Sequence, residues 1–554
     1  MNHPRLALLL AATAVAAAPS AGAQEPGVTR VEARVTSASP GRVSLDRGRD
    51  AGAEPGDRVR ILEIGAPPRD GRVETVSERD CIVRLDDPAA EVEIGSRAEI
   101  LVPSDRLAAR AAEQGAAGGE RRHPGWSRAP DEWSQDMPLL AKSKGRKPEE
   151  RPAEWHGRAY AGFDLTDDRQ GGGRRYLLAR SGADLEAANP FGRGGRLDID
   201  FEINHRSDYQ RSGDTVSDTT LRLDRLAWTV GGDRHRPARL AFGRFLPEDL
   251  PEFGILDGTE VSYGLSPENR VGASLGFLPE FGRELATGKD LQTAAFVSHR
   301  SGDGAFRAAG GFQKTWHEGT ADRDLLVGKI GWSPPTGFNL YSTAWVDFYD
   351  STDTAKSTGP ELTQFYGAAG WRSEKGNGFR LGLSRIRFPQ TLRAQLSDVT
   401  LSQLADNQTD RVDLSAWRRL TPDLRLSAGL DHWSDEDGSG GGGRLRADWR
   451  DPLFAGGDLG LTLAFNQGQF HEVASARLDA DWETSLGAWR LAWETARQKQ
   501  IDFVGSQETL LQHLFQLSWD LAGASGWASS AYLEQRLGDE QDSLTLGLYL
   551  QYRF

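Results

Sequence analysis

Apolar and polar residues alternate with a period of two over most of the chain, and this period predicts β-strands rather than helices. The last strand is the clearest case, because Leu546, Leu548, Leu550 and Tyr552 share one face while small and polar residues occupy the other. The alternation continues through residues 156–554. A soluble sheet can also alternate. About four hundred residues of it without helices favour a closed barrel, apolar outside and polar inside.

The connections between the predicted strands are of two kinds, which alternate along the chain. Ten are short turns, and most of the others are longer and more polar, the longest being residues 388–407. Counting through them predicts about 22 strands, within a range of 18–22. An even number places both barrel ends on the short-turn side. The short turns are residues 189–194, 231–237, 266–269, 301–304, 333–337, 374–377, 421–423, 451–456, 484–487 and 522–525.

A smaller β segment precedes the barrel at residues 24–103. Six short strand patterns in about 75 residues, separated by turn clusters, predict a small SH3-like barrel. Cys81 alternates with Val83 and Leu85 and is expected in its core. The patterns cover residues 28–37, 42–45, 58–62, 72–76, 81–85 and 97–102.

The remaining segments carry targeting and linker signals. Residues 1–23 combine Arg5, a compact apolar run and small residues before Gln24, which is typical of a cleaved signal peptide. Residues 104–155 are rich in charge, Gly and Pro and predict a flexible linker. An aromatic island in that linker, around Trp126 and Trp133, fits either a strap on a folded surface or a segment that enters the barrel mouth.

Composition narrows the classes of function. The net charge of −14 disfavours nucleic acid as a partner. One cysteine excludes an intrachain disulfide, and with 10 histidines it makes a Cys/His metal framework improbable. A mean hydropathy of −0.53 excludes a bundle of transmembrane helices. We expect neither a cofactor nor a bound metal.

The C-terminal end Leu550-Gln551-Tyr552-Arg553-Phe554 resembles the assembly signal of outer-membrane β-barrel proteins. Together with the signal peptide and the alternation, it makes the chain similar to porin-like members of that class. The resemblance implies that Leu550, Tyr552 and Phe554 are read by the barrel insertion machinery. It also implies a barrel surrounded by outer-membrane lipid, with the N-terminal domain in the periplasm.

No catalytic group is expected. Gly272-Ala273-Ser274-Leu275-Gly276 matches the G-x-S-x-G pattern of hydrolases, but that motif needs a strand-to-helix turn. Here the alternation continues through the motif, which predicts an uninterrupted strand. His432 and His513 fall on the apolar face of their strands, without an identifiable acid or nucleophile. The sequence therefore predicts a protein that is not an enzyme.

Two groups of residues are candidates for a pore. Acidic residues on the third barrel strand and arginines on the fourteenth and sixteenth point inward on opposite walls, which predicts a field across the lumen. The loops 246–254 and 279–282 share Pro-Glu-Phe-Gly and are candidates for a constriction. The lumen charges are Asp198, Asp200, Glu202, Arg411, Arg419, Arg444, Arg446 and Arg450, and the constriction residues are Glu248, Asp249, Glu252, Phe253, Glu280 and Phe281.

These features favour an outer-membrane channel for passive or selective passage of solutes. The alternative is a secretion, export or docking component, for example in polysaccharide export, in which residues 24–155 bind a periplasmic partner. A plug is not expected, because residues 28–103 look small and self-contained. The sequence names neither a solute nor a partner.

Overall fold

The computed structural model describes residues 28–39, 41–62, 68–86, 90, 92, 96–107, 151–170, 173–210, 215–233, 236–280, 285–373, 375–393, 408–436, 438–452, 456–469, 471–501, 507–522 and 526–554. The signal peptide and the aromatic island of the linker lie outside these ranges. Two closed β-barrels make up the described chain. No helix in the described ranges is long and apolar enough to cross a membrane.

The first barrel is the small domain, whose six described strands close in the order β1-β2-β5-β4-β3-β6. Its interior is the alternate face of each strand, including Val35, Ile61, Val83 and Ile100, all at most 1% exposed. Cys81 is buried among them, as predicted. The strands are β1 (Val28–Ser39), β2 (Arg42–Leu45), β3 (Arg58–Leu62), β4 (Arg69–Val76), β5 (Cys81–Leu85) and β6 (Arg97–Pro103).

The second barrel has 22 strands in the described residues, each antiparallel to its neighbour in sequence, and β28 pairs with β7 to close it. This confirms the predicted architecture and count. The strands are β7 (Glu154–Asp168), β8 (Arg174–Ala188), β9 (Arg196–Gln210), β10 (Thr215–Gly231), β11 (Ala238–Phe245), β12 (Leu256–Gly264), β13 (Asn269–Leu278), β14 (Asp290–Arg300), β15 (Phe306–His317), β16 (Thr320–Trp332), β17 (Phe338–Tyr349), β18 (Gly359–Arg372), β19 (Gly378–Arg387), β20 (Gln408–Arg419), β21 (Leu424–Ser434), β22 (Ser439–Arg450), β23 (Gly457–Gln467), β24 (His471–Thr484), β25 (Gly487–Ile501), β26 (Gln507–Ala522), β27 (Trp527–Gly538) and β28 (Gln541–Arg553).

The outer face of the large barrel is apolar. Phe242, Val261 and Leu445 are more than half exposed, whereas inward neighbours such as Glu260 are buried. Lipid outside and polar groups inside account for this division. Aromatic pairs flank several short turns, as expected where a barrel meets the lipid headgroups. These pairs are Trp332–Phe338 (5.4 Å), Trp371–Phe379 (6.3 Å), Trp482–Trp489 (6.5 Å) and Trp527–Tyr552 (4.8 Å). The large barrel therefore has the surface of a membrane-spanning β-barrel.

The C-terminal residue completes the closing seam between β28 and β7. The backbone N–H of Phe554 donates to the carbonyl of Gly157 at 3.1 Å, and the N–H of Gly157 donates back at 3.2 Å. The Phe554 ring packs against Tyr552 on the outer face, with 6.2 Å between centroids. An outward aromatic residue thus ends the strand on which closure depends.

We expect Phe554→Asp to lower the amount of folded barrel in the outer membrane, because it places a charge on the lipid face of the closing strand. Heat-modifiable migration of outer-membrane fractions measures this amount. Ser543→Asp, on the inward face of the same strand, is the matched control and should assemble normally. Normal assembly of Phe554→Asp would contradict a role for this residue in insertion.

Candidate functional site

The small domain is seated in the short-turn end of the large barrel. Side chains of the small domain, and in one case the carbonyl of Thr36, bond inward-facing side chains on seven barrel strands spread around the circumference, each within five residues of the strand end. The barrel residues are Arg158 on β7, Arg300 on β14, Arg307 on β15, Arg372 on β18, Asp458 on β23, Asp481 on β24 and Arg553 on β28. The expectation that this domain is not a plug is therefore wrong, since it occupies the lumen mouth.

Ion pairs connect the two barrels, and the cation lies on the large barrel in some of them and on the small domain in others. Arg553 Nη1 lies 2.7 Å from Asp80 Oδ2, and Arg84 Nη1 lies 2.6 Å from Asp458 Oδ2. Arg372 pairs with Asp86, and Arg307 pairs with Glu99. Hydrophobic clusters do not span the two barrels within the described residues, since the core of the small domain contains only its own side chains. A polar contact of this kind is typical of domains that separate and rejoin.

The ion pairs differ in how strongly docking favours their charges. Burial raises the pKa of Glu99, but Arg307 and Arg30 outweigh it and hold the pKa below its usual value. Burial lowers the pKa of Arg84, but Asp458 and Glu74 reverse this and raise it. For Asp86 burial prevails over Arg372, and the pKa is raised. Docking thus stabilises the charges of Glu99 and Arg84 and disfavours that of Asp86.

A second obstruction is the loop between β11 and β12, residues 246–255. These strands have only 8 and 9 residues, and the loop folds inward between them. Leu250 and Phe253 are at most 2% exposed and pack on an apolar patch of the inner wall that includes Phe296 and Leu325. A Cβ at Gly311 would lie 2.6 Å from Leu250 Cδ1, so this close approach requires glycine.

The acidic residues of this loop are each paired with a cation on the wall. Glu248 lies 3.3 Å from Arg239 and Asp249 lies 3.5 Å from Arg270. Glu252, 8% exposed, lies 3.3 Å from Lys329. Burial raises the pKa of Glu248, but Arg239 and Arg97 outweigh it and lower the pKa. These acids anchor the loop and leave little uncompensated charge in the passage.

The adjacent loop differs from the expected second half of a constriction. Glu280 lies 3.4 Å from Lys289 of the same loop, and its N–H donates to the carbonyl of Ala286 at 2.9 Å. Phe281 lies outside the described residues. The described part of this loop thus bonds to itself and, through the carbonyls of Pro279 and Lys289, to the side chain of Arg393 and the N–H of Glu318.

Residues 388–393, at the start of the longest loop, cross the opposite end of the barrel from β19 to β14. Arg393 Nε lies 3.1 Å from Asp290 Oδ2, and Asp290 also lies 2.7 Å from His317 Nδ1. The backbone N–H of Leu392 donates to Asp322 on β16. The described part thus connects β19 to β16 and β14 along one side of the mouth, at the longer-loop end.

The predicted acidic wall lies on β9 and faces inward. Asp198 is 4% exposed and lies 3.0 Å from Arg196, which neutralises it. Glu202 accepts hydrogen bonds from Tyr160 at 2.7 Å and from Asn204 at 2.9 Å. Asp200 lies directly across from Asp184 on β8 and is half-buried. Asp198 likewise lies across from Glu186 on β8, so the two acids differ in that Arg196 bonds Asp198, whereas the basic neighbour of Asp200 is Arg225, across from it on β10.

The predicted basic wall also faces inward, but its charges are largely compensated. Arg446 lies 2.9 Å from Asp479 and 2.7 Å from Asp448. Arg411 lies 3.5 Å from Asp431, and Arg450 lies 3.9 Å from Asp458. Arg419, at the short-turn end, and Arg444 lie on the same wall. The predicted transverse field is therefore weaker than the sequence indicates.

The docking residues of the barrel are not among the residues predicted from the sequence. Arg158, Arg307, Arg372 and Arg553 all stand at inward positions beside short turns. The signal that could have found them is this recurrence of arginine at one level of the barrel. Its acidic counterparts, Asp86 and Glu99 among them, lie on the outside of the small domain.

Within the described ranges, no three His, Cys, Asp or Glu side chains are placed to hold a metal ion. Ser274 lies inside the continuous strand β13, and no elbow surrounds it. The arrangement can exclude or admit solutes and can pair charges with them. We therefore treat the obstructed lumen as the candidate site.

No protein-family model matches the sequence, and no curated protein matches it. Solved structures resemble its fold. In an E. coli P pilus tip assembly intermediate, PapC-PapD-PapK-PapG, the TM-score is 0.42 at 10% identity, covering 72% of this chain and 60% of that chain. A BenF-like porin from Pseudomonas fluorescens gives 0.38 at 9% identity, covering 73% and 98%. Pseudomonas aeruginosa OccK2 in complex with glucuronate gives 0.34 at 10% identity, covering 72% and 96%.

Proposed function

We propose that this protein is an outer-membrane channel for small solutes, closed by its own N-terminal domain. The observation that carries this proposal is the ring of ion pairs and hydrogen bonds between the small domain and inward side chains of the barrel. The ring runs from Arg158 on β7, which donates to the carbonyl of Thr36, to Arg553 on β28, which pairs with Asp80. A barrel of 22 strands without a filling would enclose a wide aqueous lumen, because 16–18 strands already do so. Passage therefore requires the small domain to move.

Two properties of the small domain support a reversible gate. The domain has its own closed core, so it can leave the barrel mouth without unfolding. Its contacts with the barrel are polar, and water can replace them when the domain moves. A hydrophobic seat would instead hold the domain permanently.

The loop between β11 and β12 then sets the width of the passage once the small domain has moved. Leu250 and Phe253 fix it to the inner wall, while its acids are held by Arg239, Arg270 and Lys329. The channel is thus selective even when open, since this loop remains. Lumen charges such as Asp200 bias the ions that pass.

Export of a polymer is the second candidate, and the width of the barrel favours it. A lumen that accommodates a six-stranded domain is wider than a small solute needs. In that reading, a periplasmic partner binds residues 24–155 and withdraws the domain. The gate is common to both functions, and only the cargo differs.

Glu99→Gln combined with Arg84→Gln should increase channel opening, because docking stabilises these two charges. Each loss from a largely buried pair costs about 1–2 kcal/mol, so the docked-to-undocked ratio should fall by about a hundredfold. Opening frequency of the full chain in planar bilayers measures this ratio.

Glu54→Gln combined with Arg47→Gln is the matched control for this variant. It removes the same two charge types, but the partners of these residues, Arg106 and Asp46, belong to the small domain itself, so we expect little change in opening. If the Glu99 and Arg84 variant opens no more often than this control, the small domain is not the gate.

Leu250→Asp should raise the conductance of the open channel, measured in the background of the Glu99 and Arg84 variant. The new carboxylate cannot stay in the apolar cluster, because burying a charge without a partner costs several kcal/mol, and the loop leaves the wall. Leu285→Asp, at an exposed leucine in the next loop, is the control and should not change the conductance. Equal conductance in both variants would remove the loop as the constriction.

Asp200→Asn should shift ion selectivity toward anions, since Asp200 adds to the negative potential of Asp184. Asp198→Asn should shift it less, because Arg196 already neutralises Asp198. Reversal potentials across a salt gradient, in the same open background, measure the difference. A larger shift for Asp198→Asn would contradict this assignment.

A further inference from the structure

Three tyrosines form a diagonal on the lumen wall, across the seam that closes the large barrel. They are Tyr532 on β27, Tyr549 on β28 and Tyr160 on β7, and all three face inward. Each lies one strand further round the barrel than the one before, and two residues nearer to the short-turn end. We call these three residues the tyrosine diagonal.

A glycine lies directly opposite each of these tyrosines on the next strand. A Cβ on Gly182 would lie 2.6 Å from the Tyr160 oxygen, and a Cβ on Gly547 would overlap the Tyr532 ring. Gly182 and Gly547 are buried, whereas the three tyrosines are only partly buried. The rings thus lie over the neighbouring strands, and their remaining exposed surface faces the lumen. The pairs are Tyr532–Gly547, Tyr549–Gly162 and Tyr160–Gly182.

This packing has a structural effect and a chemical one. An aromatic ring over a cross-strand glycine stabilises the pairing of the two strands. The same arrangement turns the face of the ring, rather than its edge, toward whatever passes through the lumen. Since the face of an aromatic ring carries partial negative charge, it attracts groups with partial positive charge.

Hydrogen-bonding groups border the rings. The Tyr532 hydroxyl donates to Asp164 Oδ1 at 2.6 Å, and the Tyr160 hydroxyl donates to Glu202 Oε2 at 2.7 Å. Arg180 Nη2 lies 3.4 Å from Asp164 Oδ2, and the Arg180 side chain is exposed. A charged solute would therefore meet a like charge beside the opposite one, whereas hydroxyl groups can donate to the carboxylates and accept from the guanidinium group.

We propose that the tyrosine diagonal binds the sugar units of a neutral oligosaccharide in the lumen. The C–H groups on the face of a pyranose ring pack on aromatic faces, and its hydroxyls reach the polar groups at the ring edges. The Tyr160 and Tyr549 centroids are 5.8 Å apart, so successive sugar units can contact successive rings. The proposal rests on the channel function proposed above and names its substrate class.

The diagonal ends beside the docked small domain. The Arg158 guanidinium lies 5.2 Å from the centroid of the Tyr160 ring while it donates to the carbonyl of Thr36. When the small domain moves, Arg158 loses this partner and can leave the ring. Weak binding at several successive rings then lets a solute enter and also leave the channel.

Block of the ion current by sugar tests the proposal in planar bilayers, with the Glu99 and Arg84 variant as the open background. Maltohexaose is the probe, and a polyethylene glycol of similar mass is the control for size. Tyr549→Leu should raise the maltohexaose concentration needed for half-maximal block by about fivefold, because leucine is apolar but has no aromatic face. Tyr549→Phe keeps this face and should retain most of the block, and Tyr532→Leu should act as Tyr549→Leu does.

Tyr366→Leu is the matched control, because Tyr366 also faces the lumen, on β18, but lies opposite Thr343 and Ser384 instead of a glycine. It should leave the block unchanged. Heat-modifiable migration shows that each variant folds.

Isothermal titration calorimetry of the same chains in detergent measures sugar binding without requiring the channel to open. Equal block by maltohexaose and polyethylene glycol, or equal affinity in all variants, would overturn the sugar site and leave the gate standing. If calorimetry shows binding that Tyr549→Leu weakens, but the Glu99 and Arg84 variant does not open, the sugar site stands and the proposed gate fails.

Discussion

The absence of water in the lipid interior is the constraint on which the rest of this structure depends. Each backbone N–H and C=O of the spanning segment needs a partner in the protein, and a sheet meets this need only when its first and last strands pair. The pairing of β28 with β7 closes 22 strands and fixes a wide lumen. The seated domain and the infolded loop follow from that width, since both fill space that closure creates.

The sequence predicts most of the fold because successive residues of a strand face lipid and water in turn, so apolar and polar residues alternate. Leu548 and Leu550 face outward and Gln551 and Arg553 inward because any slip by one residue would exchange the two environments. The strands of the small domain were predicted for the same reason, with Cys81 and Val83 on its inner face. The alternation of short turns and longer loops gave the number of strands. These signals are local, and each can be read within about ten residues.

The site is less predictable because its interactions join residues far apart in sequence. Asp198 lies at an inward position of β9, but its neutralisation depends on the rotamer of Arg196. The burial of Leu250 and Phe253 depends on Ala294, Phe296 and Leu325, on strands further along the chain. The seat of the small domain depends on pairs such as Asp86 with Arg372. The alternation of apolar and polar residues within a strand carries no information about such pairs between distant residues.

Thr36 joins the small domain to both sides of the barrel seam. Its carbonyl accepts a hydrogen bond from Arg158 on β7, and its hydroxyl accepts one from Arg553 on β28. The domain gains both bonds only after these two strands have come together. By thermodynamic linkage, the free energy of seating the domain is then also free energy of sealing the barrel. The N-terminal domain thus stabilises the pairing of the C-terminal strand β28 with β7. When the domain is not seated, this pairing is less stable.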